Sequence, residues 1–241
     1  MTALAEVVVS RLRSIEARLV DSGWPWAREN REPIEAHWRK LTAGAPALYN
    51  GRVLVRRRQS LQDGVLSLDY VETDYASFIA FRDFGFPDPT SGNGFAMAAL
   101  RASDGSYVLG EMGSHTANAG KVYFPAGTPE PDDVLADGTV DLAGSVLREL
   151  EEETGLRPEE VDATDKWDVV LAGGRTAMMR EVRVPMTAEA LRDRTRSFIA
   201  GEARPELADV RIVRGPEDID TDAMPVFMQA YLRFALTRGQ R

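Results

Sequence analysis

The sequence predicts an α/β fold, and three observations support this prediction. The segments FAMAALRA at 95–102 and SYVLGEM at 106–112 flank a Ser103-Asp104-Gly105 turn, which predicts a β-hairpin. Residues 121–155 have the pattern of a strand, a loop rich in glycine, proline and aspartate, and a helix. The chain is 44% apolar and 28% charged, as ordinary globular proteins are. Strand and helix patterns therefore alternate within one globular chain.

The sequence pattern predicts that residues 1–93 form an N-terminal extension made of helices and a small β segment. Five apolar residues recur at helical spacing and predict a first helix: Leu4, Val8, Leu12, Ile15 and Leu19. The further elements expected are a helix at 33–41, strands at 48–58 and 64–71, and a helix at 74–84. Residues that break secondary structure are concentrated at 86–94, so we place a second module at 94–241.

Charge and composition exclude several classes of function. The formal net charge is −9 and the chain has no cysteine. An acidic chain of this kind is not expected to bind nucleic acid, and a thiolate metal site or cysteine nucleophile is excluded. Glu6 interrupts the apolar start, and no apolar run approaches the ~20 residues that cross a bilayer. We therefore expect no membrane partner and a cytoplasmic location.

An acidic helix in the second module carries the strongest functional signal. Asp141 is expected to cap this helix and Gly155 to end it. Glu149, Glu152 and Glu153 share one face near its negative end, where like charges repel one another. A solvated acidic face is the alternative interpretation. Because a divalent cation would neutralise this repulsion, we favour a site for Mg²⁺ or Mn²⁺, which prefer oxygen ligands.

The run RELEEETGL at 148–156 resembles the second half of the motif of the Nudix hydrolase family, REUxEExGU with U a bulky aliphatic residue. The segment FPAGTPEPDD at 124–133 is similar to the start of that motif, with Gly127 as its glycine and Asp133 in place of its first glutamate. Residues 134–140 are then an insertion, which we expect to loop out into solvent. Ala126 stands where the family often has glycine.

The resemblance implies an α/β/α sandwich with a mixed sheet. Later strands around 167–185 and 208–213 and a final helix at 224–236 follow the order of that fold. It also implies metal-dependent hydrolysis of a phosphoanhydride bond in a nucleoside diphosphate linked to another group. The implied partner is therefore a small nucleotide.

The resemblance also assigns roles to residues of this chain. Glu152 and Glu153 would bind the metal, with the backbone carbonyl of Ala126. Glu149 would bind metal or orient the attacking water, and Arg148 would hold the carboxylates in position. Gly127 would contact substrate in the phosphate loop.

Two finer features bear on the substrate. The N-terminal segment APALYNGRVL at 45–54 resembles the leader of nucleotide-sugar pyrophosphatases, which favours a nucleotide sugar such as ADP-ribose or UDP-glucose. Glu202 lies where such members often place a loop acid that acts as general base; an exposed loop glutamate is the alternative. As an alternative to a role in substrate recognition, the N-terminal extension could simply cover part of the hydrophobic core or form a homodimer interface.

Two clusters in the extension have competing interpretations. The arginines at 52 and 56–58 could reach a phosphate, but neighbours on a strand point to opposite sides, which favours a solvated face. Trp24, Trp26 and Trp38 could stack a base, but we favour a core or subunit contact.

The alternative to an enzyme is a non-catalytic Nudix-fold module that binds or senses a ligand. The unbroken set of Arg148, Glu149, Glu152 and Glu153 favours the enzyme, because a pure binding module has no need of a clustered acidic face.

Overall fold

The structure is a computed structural model that describes residues 7–44 and 48–238. The strands are β1 (Val8–Leu12), β2 (Ser14–Leu19), β3 (Arg52–Gln62), β4 (Val65–Asp74), β5 (Asn93–Arg101), β6 (Tyr107–Met112), β7 (Val122–Tyr123), β8 (Ala126–Gly127), β9 (Asp162–Ala172), β10 (Arg175–Arg183) and β11 (Leu207–Val213). The α-helices are α1 (Pro25–Glu29), α2 (Arg31–Gly44), α3 (Tyr75–Asp83), α4 (Leu142–Thr154), α5 (Ala188–Gly201) and α6 (Val226–Arg238).

The larger of two sheets is mixed. Its strands lie in the order β1-β9-β10-β5-β6-β11, and the short strands β7 and β8 pair with β6 and β5. Strands β10 and β5 are parallel, with Arg175 opposite Asn93 and Arg183 opposite Arg101. The remaining neighbours in this order are antiparallel. The expected mixed sheet is thus confirmed.

Helices cover both faces of this sheet. On one face Ala98 of β5 belongs to the same buried cluster as Val146 and Leu150 of α4. On the other face Met97 of β5 packs in a cluster with Phe227 of α6. Successive residues of β5 therefore supply opposite cores, as the two-residue period of a strand requires. The α/β/α sandwich is confirmed.

The smaller sheet, in the order β2-β4-β3, and helices α1, α2 and α3 form what we call the N-terminal unit. Leu54, Leu66 and Leu68 of this sheet share the buried cluster of α4. The backbone N–H of Leu54 also donates to the carbonyl of Pro129, at 2.7 Å, in the loop that precedes α4. The N-terminal unit therefore packs on the same side of the larger sheet as α4 and contacts its loop.

The helix predicted over residues 4–19 is wrong for its described part. Residues 8–19 form β1, which pairs with β9, and β2, which runs parallel to β4; Leu4 lies outside the described residues. Both partner strands lie far along the chain, so long-range pairing overrides the helical spacing of the apolar residues. The β-branched run Val7-Val8-Val9 is the local signal that favours a strand.

The insertion at 134–140, which we call the insertion hairpin, does not loop out freely into solvent. It pairs with the edge of β2, where Leu19 N donates to Gly138 O and Val140 N donates to Ala17 O, each at 2.9 Å. Val140 is buried. The expectation of a solvent loop is wrong because an open strand edge offers these backbone groups partners.

The arginines at 56–58 were predicted to form one solvated face. This prediction is wrong for Arg56 and Arg57. Arg56 is only 4% exposed, and Arg57 donates to the hydroxyls of Thr90 and Ser91. Arg58 is exposed as expected. The pairing of β3 with β4 shifts in register between Arg56 and Arg58, and this bulge separates the side chains.

Most other elements lie where the sequence predicts them. The expected helices at 33–41, 74–84 and 224–236 correspond to α2, α3 and α6, and the strands at 48–58, 64–71 and 208–213 to β3, β4 and β11. Helix α5 was not predicted; Thr187 caps it by accepting a hydrogen bond from Ala190 N. In the described part of the chain, every helix is too short or too polar to cross a membrane.

Candidate active site

The loop residues Ala126 and Gly127 lie against the acidic end of α4. As strand β8 they pair with β5, Ala126 opposite Met97 and Gly127 opposite Ala96. The backbone N–H of Ala126 donates to Glu153 Oε1 at 3.0 Å. The loop and the last two turns of α4 are therefore in direct contact.

The predicted caps of α4 are both present. Asp141 Oδ1 accepts a hydrogen bond from Gly144 N at 2.9 Å. At the other end Gly155 is left-handed, with φ 69°, and its N–H donates to Glu151 O at 2.8 Å. These caps fix the ends of the helix and hence the face on which its acids lie.

Of the predicted acids, Glu153 is buried and the side chain of Glu149 is largely buried, with 13% of it exposed. Burial raises the pKa of Glu153 well above its ordinary value, and its Oε2 has no hydrogen-bond partner among the described residues. Burial likewise raises the pKa of Glu149, to about 7, although the charge of Arg148 opposes this shift. Two neighbouring buried carboxyls with so few donors are costly to ionise unless a cation accompanies them.

Arg148 contacts three carboxylates. Its Nη1 lies 2.8 Å from Glu149 Oε1 and 3.5 Å from Glu152 Oε2. Its Nη2 donates to both oxygens of Asp133, which is buried. Asp133, placed by sequence in the motif's first acidic position, thus meets Arg148 in spite of the insertion hairpin.

The donors suit a hard divalent cation, although the side chains are not gathered around one point. No three acidic or histidine side chains within residues 7–44 and 48–238 form a compact metal cluster. Glu152 is exposed, and its ion pair among the described residues is with Arg148. The orphaned Oε2 of buried Glu153, beside the Glu149 carboxylate, is nevertheless the kind of oxygen that Mg²⁺ or Mn²⁺ would satisfy.

Gly127 allows the loop to approach α4 closely. A Cβ at position 127 would overlap the carboxylate of Glu149. Any larger residue would therefore push the loop and the glutamate apart. Ala126, one position earlier, is half-buried in β8.

Two acids follow α5, in the loop before β11. Glu202 is the exposed C-cap residue of α5. Glu206, which the sequence did not single out, is close enough to Glu149 and Glu153 for its charge to add to the rise of their pKa values. The carbonyl of Glu206 accepts a hydrogen bond from Gly113 N at 2.7 Å, which anchors this loop.

A cavity of about 520 Å³ opens beside the Ala126–Gly127 loop. Its volume lies within the ~300–1,000 Å³ typical of small-molecule sites. The described residues that line it include five aromatic side chains: Tyr75, Phe78, Phe95, Tyr123 and Phe227. They also include Arg82, Lys121 and Arg175, but no aspartate or glutamate. In a protein of net charge −9, this lining favours an anionic ligand with an apolar part.

The cationic residues that line this cavity were not predicted from the sequence. Tyr75, Phe78 and Arg82 are spaced three and four residues apart on α3, so they share one helix face, which is a signal visible in the sequence. Arg175 approaches them only through the fold, and no local pattern marks it.

Other candidates from the sequence do not line this cavity. The tryptophans favoured as core contacts are partly confirmed, since Trp24 is buried and packs on Phe81. Trp26 also packs on Phe81, and Trp38 packs on Tyr75.

One family model matches this chain, and several solved structures resemble it. The family model described as NUDIX domain matches residues 92–228. A search of curated proteins finds no match. Among solved structures, the chain resembles a Nudix hydrolase from M. smegmatis, RenU, at 14% identity and a TM-score of 0.41, covering 61% of this chain and 86% of that one.

Two further solved structures are similar. One is a C. elegans Ap4A hydrolase in a binary complex, at 14% identity and a TM-score of 0.41, covering 61% of this chain and 98% of that one. The other is a MutT protein from Methanosarcina mazei Go1, at 17% identity and a TM-score of 0.40, covering 61% and 95%. The family model spans more than half of the sequence, and the chain is therefore a member of the Nudix hydrolase family.

Proposed function

We propose that this protein hydrolyses the phosphoanhydride bond of a nucleoside diphosphate linked to another group, with a divalent cation. The observation that carries the proposal is the pair of acids on α4, the buried Glu153 and the largely buried Glu149, behind a loop that borders a cation-lined cavity. The carboxylates suit a metal ion, and the cavity suits the remainder of a nucleotide.

The roles of the residues follow from their positions. Glu152, Glu153 and the Ala126 carbonyl are the proposed ligands of Mg²⁺ or Mn²⁺, with Glu149 as a further ligand or as the group that orients water. A divalent cation held by these residues would stabilise negative charge on the phosphoryl oxygens. Arg148 holds Glu149 and Asp133 in position through its ion pairs.

The chemical step is a simple displacement by water. The oxygen of water forms a bond to one phosphorus, the bond from that phosphorus to the bridging oxygen breaks, and the water loses a proton to a carboxylate. With its pKa raised to about 7, Glu149 is suited to accept that proton. Glu202 is the base proposed from the sequence, and Glu206 joins it because of its proximity to the buried acids. Gly127 places the loop backbone beside the substrate.

The finer substrate proposal is a nucleotide sugar such as ADP-ribose or UDP-glucose. It rests on the leader motif of the N-terminal unit and on a cavity with both aromatic and cationic walls. A cytoplasmic location and a homodimer remain predictions from the sequence.

The proposal is tested by incubating the protein and Mg²⁺ with nucleotide sugars, dinucleotides and nucleoside triphosphates. We expect a nucleoside monophosphate and a sugar phosphate from the preferred substrate, and no product after chelation of the metal. The Glu151→Gln variant, changed at an exposed acid of the same helix, is the matched control. Cleavage of triphosphates alone would overturn the substrate class, and binding without any cleavage would favour the ligand-binding alternative.

A further inference from the structure

The cavity beside the Ala126–Gly127 loop is built by two parts of the chain. Helix α3 of the N-terminal unit contributes Tyr75, Phe78 and Arg82, whereas Arg175 comes from the start of β10. We propose that Arg82 and Arg175 together bind an anionic group of the nucleotide, so that the N-terminal unit selects the substrate directly. This inference rests on the proposed function, because it assigns residues of this cavity to the proposed substrate.

Arg175 is a half-buried cation that lacks a protein counter-ion. Among the described residues it has no hydrogen bond and no ion pair, and its guanidinium lies 4.8 Å from the ring centroid of Phe86. Burial lowers its pKa, and the positive charge of Arg82 lowers it further. Burial of an unpaired guanidinium and its repulsion from a second one are both unfavourable, and a bound anion would relieve both costs.

Arg82 is held in place while part of its guanidinium stays free. Its Nε donates to Asp83 Oδ1 at 2.9 Å, and its Nη1 donates to Asn118 Oδ1 at 3.4 Å. Asn118 in turn donates to the hydroxyl of Tyr123 at 3.1 Å, and both residues line the cavity. The Nη2 group has no partner among the residues described, which leaves donors for a ligand.

Helix α3 is a rigid support for this contact. Asp74 caps its start by accepting from Ser77 N at 2.9 Å, and Asn50 Oδ1 accepts from Ala76 N at 2.7 Å. Phe81 on its other side is fully buried. The position of Arg82 is therefore fixed by the packing of the N-terminal unit.

A second polar group of the cavity also lacks a partner. Asn93 lines the cavity opposite Arg175 in the register of β5 and β10, and its Oδ1 is buried with no hydrogen-bond partner among the described residues. A carboxamide can pair with the donor and acceptor groups of a sugar or a base. The same cavity is lined by Ala126, which pairs with Met97 further along β5, so that Asn93 and the loop before α4 belong to one cavity.

The anion could be the diphosphate itself or a charged group on the linked moiety, and both are recognised by guanidinium in the same way. Titration calorimetry, with and without Mg²⁺, measures the affinity of each protein for its ligands. The ligands are uridine, UDP, UDP-glucose, UDP-glucuronic acid, adenosine and ADP. The proteins are the wild type, Arg82→Gln, Arg175→Gln and Arg175→Lys. The controls are Arg183→Gln, at the exposed far end of β10, and Arg52→Gln, which pairs with Glu72 on the surface.

We expect both glutamine variants to bind the nucleoside diphosphates about 10- to 100-fold more weakly, the loss typical of a hydrogen bond to a charged group. The affinity for the uncharged nucleoside should stay within about threefold, Arg175→Lys should recover part of the loss, and the controls should match the wild type. A loss confined to UDP-glucuronic acid would place the anion on the linked group. Equal affinity of wild type and glutamine variants for every anionic ligand would overturn the inference, as would the absence of nucleotide binding to the wild type.

The two proposals fail separately. Hydrolysis of a nucleotide sugar by a wild type whose affinity is insensitive to Arg82 and Arg175 would leave the proposed function intact and overturn the inference. Nucleotide binding that depends on both arginines, without any hydrolysis, would support the inference and overturn the proposed hydrolysis.

Discussion

Arg148 donates from Nη2 to both carboxylate oxygens of Asp133, at 3.2 and 3.3 Å. The insertion hairpin lies between these residues in sequence, yet the buried aspartate reaches the arginine of α4. The same guanidinium lies 2.8 Å from Glu149, so the aspartate fixes the arginine and the arginine fixes the buried glutamate.

Asp133→Asn should weaken metal binding by about tenfold or more, as loss of an outer partner of metal ligands typically does. An amide cannot accept from Arg148 with both of its terminal atoms, so the guanidinium would lose half of its anchor. Metal affinity is measured by titration calorimetry with Mn²⁺. Asp132→Asn, at the exposed neighbouring acid, is the control; equal affinities of the two variants would contradict the role of Asp133.

Glu152→Gln combined with Glu153→Gln should remove most of the rise in melting temperature that Mg²⁺ or Mn²⁺ gives to the wild type. Without metal the double variant should be as stable as the wild type or more so, because a buried carboxyl with a raised pKa is replaced by a neutral amide. Thermal unfolding with and without metal measures both effects. An unchanged response to metal would place the cation elsewhere.

Glu149→Gln should lower kcat by ~10² or more and leave substrate affinity nearly unchanged, as loss of a general base does. Steady-state kinetics on the preferred substrate measure this. Glu202→Gln and Glu206→Gln should be compared in the same assay, and we expect the larger loss at Glu206, which is electrostatically coupled to Glu149. If the turnover of Glu149→Gln stays within a few-fold of the wild type, the general base must be another residue, and the acids of the loop between α5 and β11 would be the candidates.

Val140→Ala should destabilise the protein by about 2 kcal/mol, since two buried methyl groups are lost and a cavity remains. For a chain of this size, that corresponds to a fall in melting temperature of about 4–8 °C. Leu135→Ala, at an exposed position of the same insertion hairpin, is the control. Equal melting temperatures would mean that the hairpin is not packed on β2 in solution.

The ion pair between Arg194 and Glu160 should make the stability of the fold depend on pH in the acidic range. Hydrogen bonds from Arg194 lower the pKa of Glu160 to about 2, and Arg194 also donates to the carbonyl of Gly155 at 3.2 Å. A carboxyl with a lowered pKa stabilises the fold above its unfolded pKa and loses that effect as the pH falls toward its folded pKa. Glu160→Gln should therefore lower the melting temperature at pH 7, and the difference from the wild type should shrink between pH ~4.5 and ~2. A difference that is constant over this range would contradict the assignment.

Helix α4 could be predicted from the sequence because its signals are local. Asp141, Gly155 and the apolar stripe between them lie within one continuous segment, and the structure has each in its expected place. The burial of Glu149 and Glu153 could not be predicted, since it depends on how closely the loop approaches at Gly127.

Long-range contacts account for what the sequence did not reveal. Strands β1 and β2 and the pairing of the insertion hairpin with β2 depend on partners far along the chain. For the same reason, Arg82 and Arg175 have no common sequence pattern, although they line one cavity. Local propensity decides an element only where tertiary contacts do not compete with it.

Strand β1 covers the outer edge of β9, and Arg11 adds an ion pair to the largely buried Asp168 at 2.7 Å. A fragment trimmed to the matched residues 92–228 would expose this edge and leave Asp168 without its arginine. It would also uncover the apolar residues of α4 that pack with Leu54, Leu66 and Leu68. Open edges and apolar patches of this kind promote self-association. A minimal domain cut at the family boundary would therefore aggregate, and a useful expression fragment must begin before Val8.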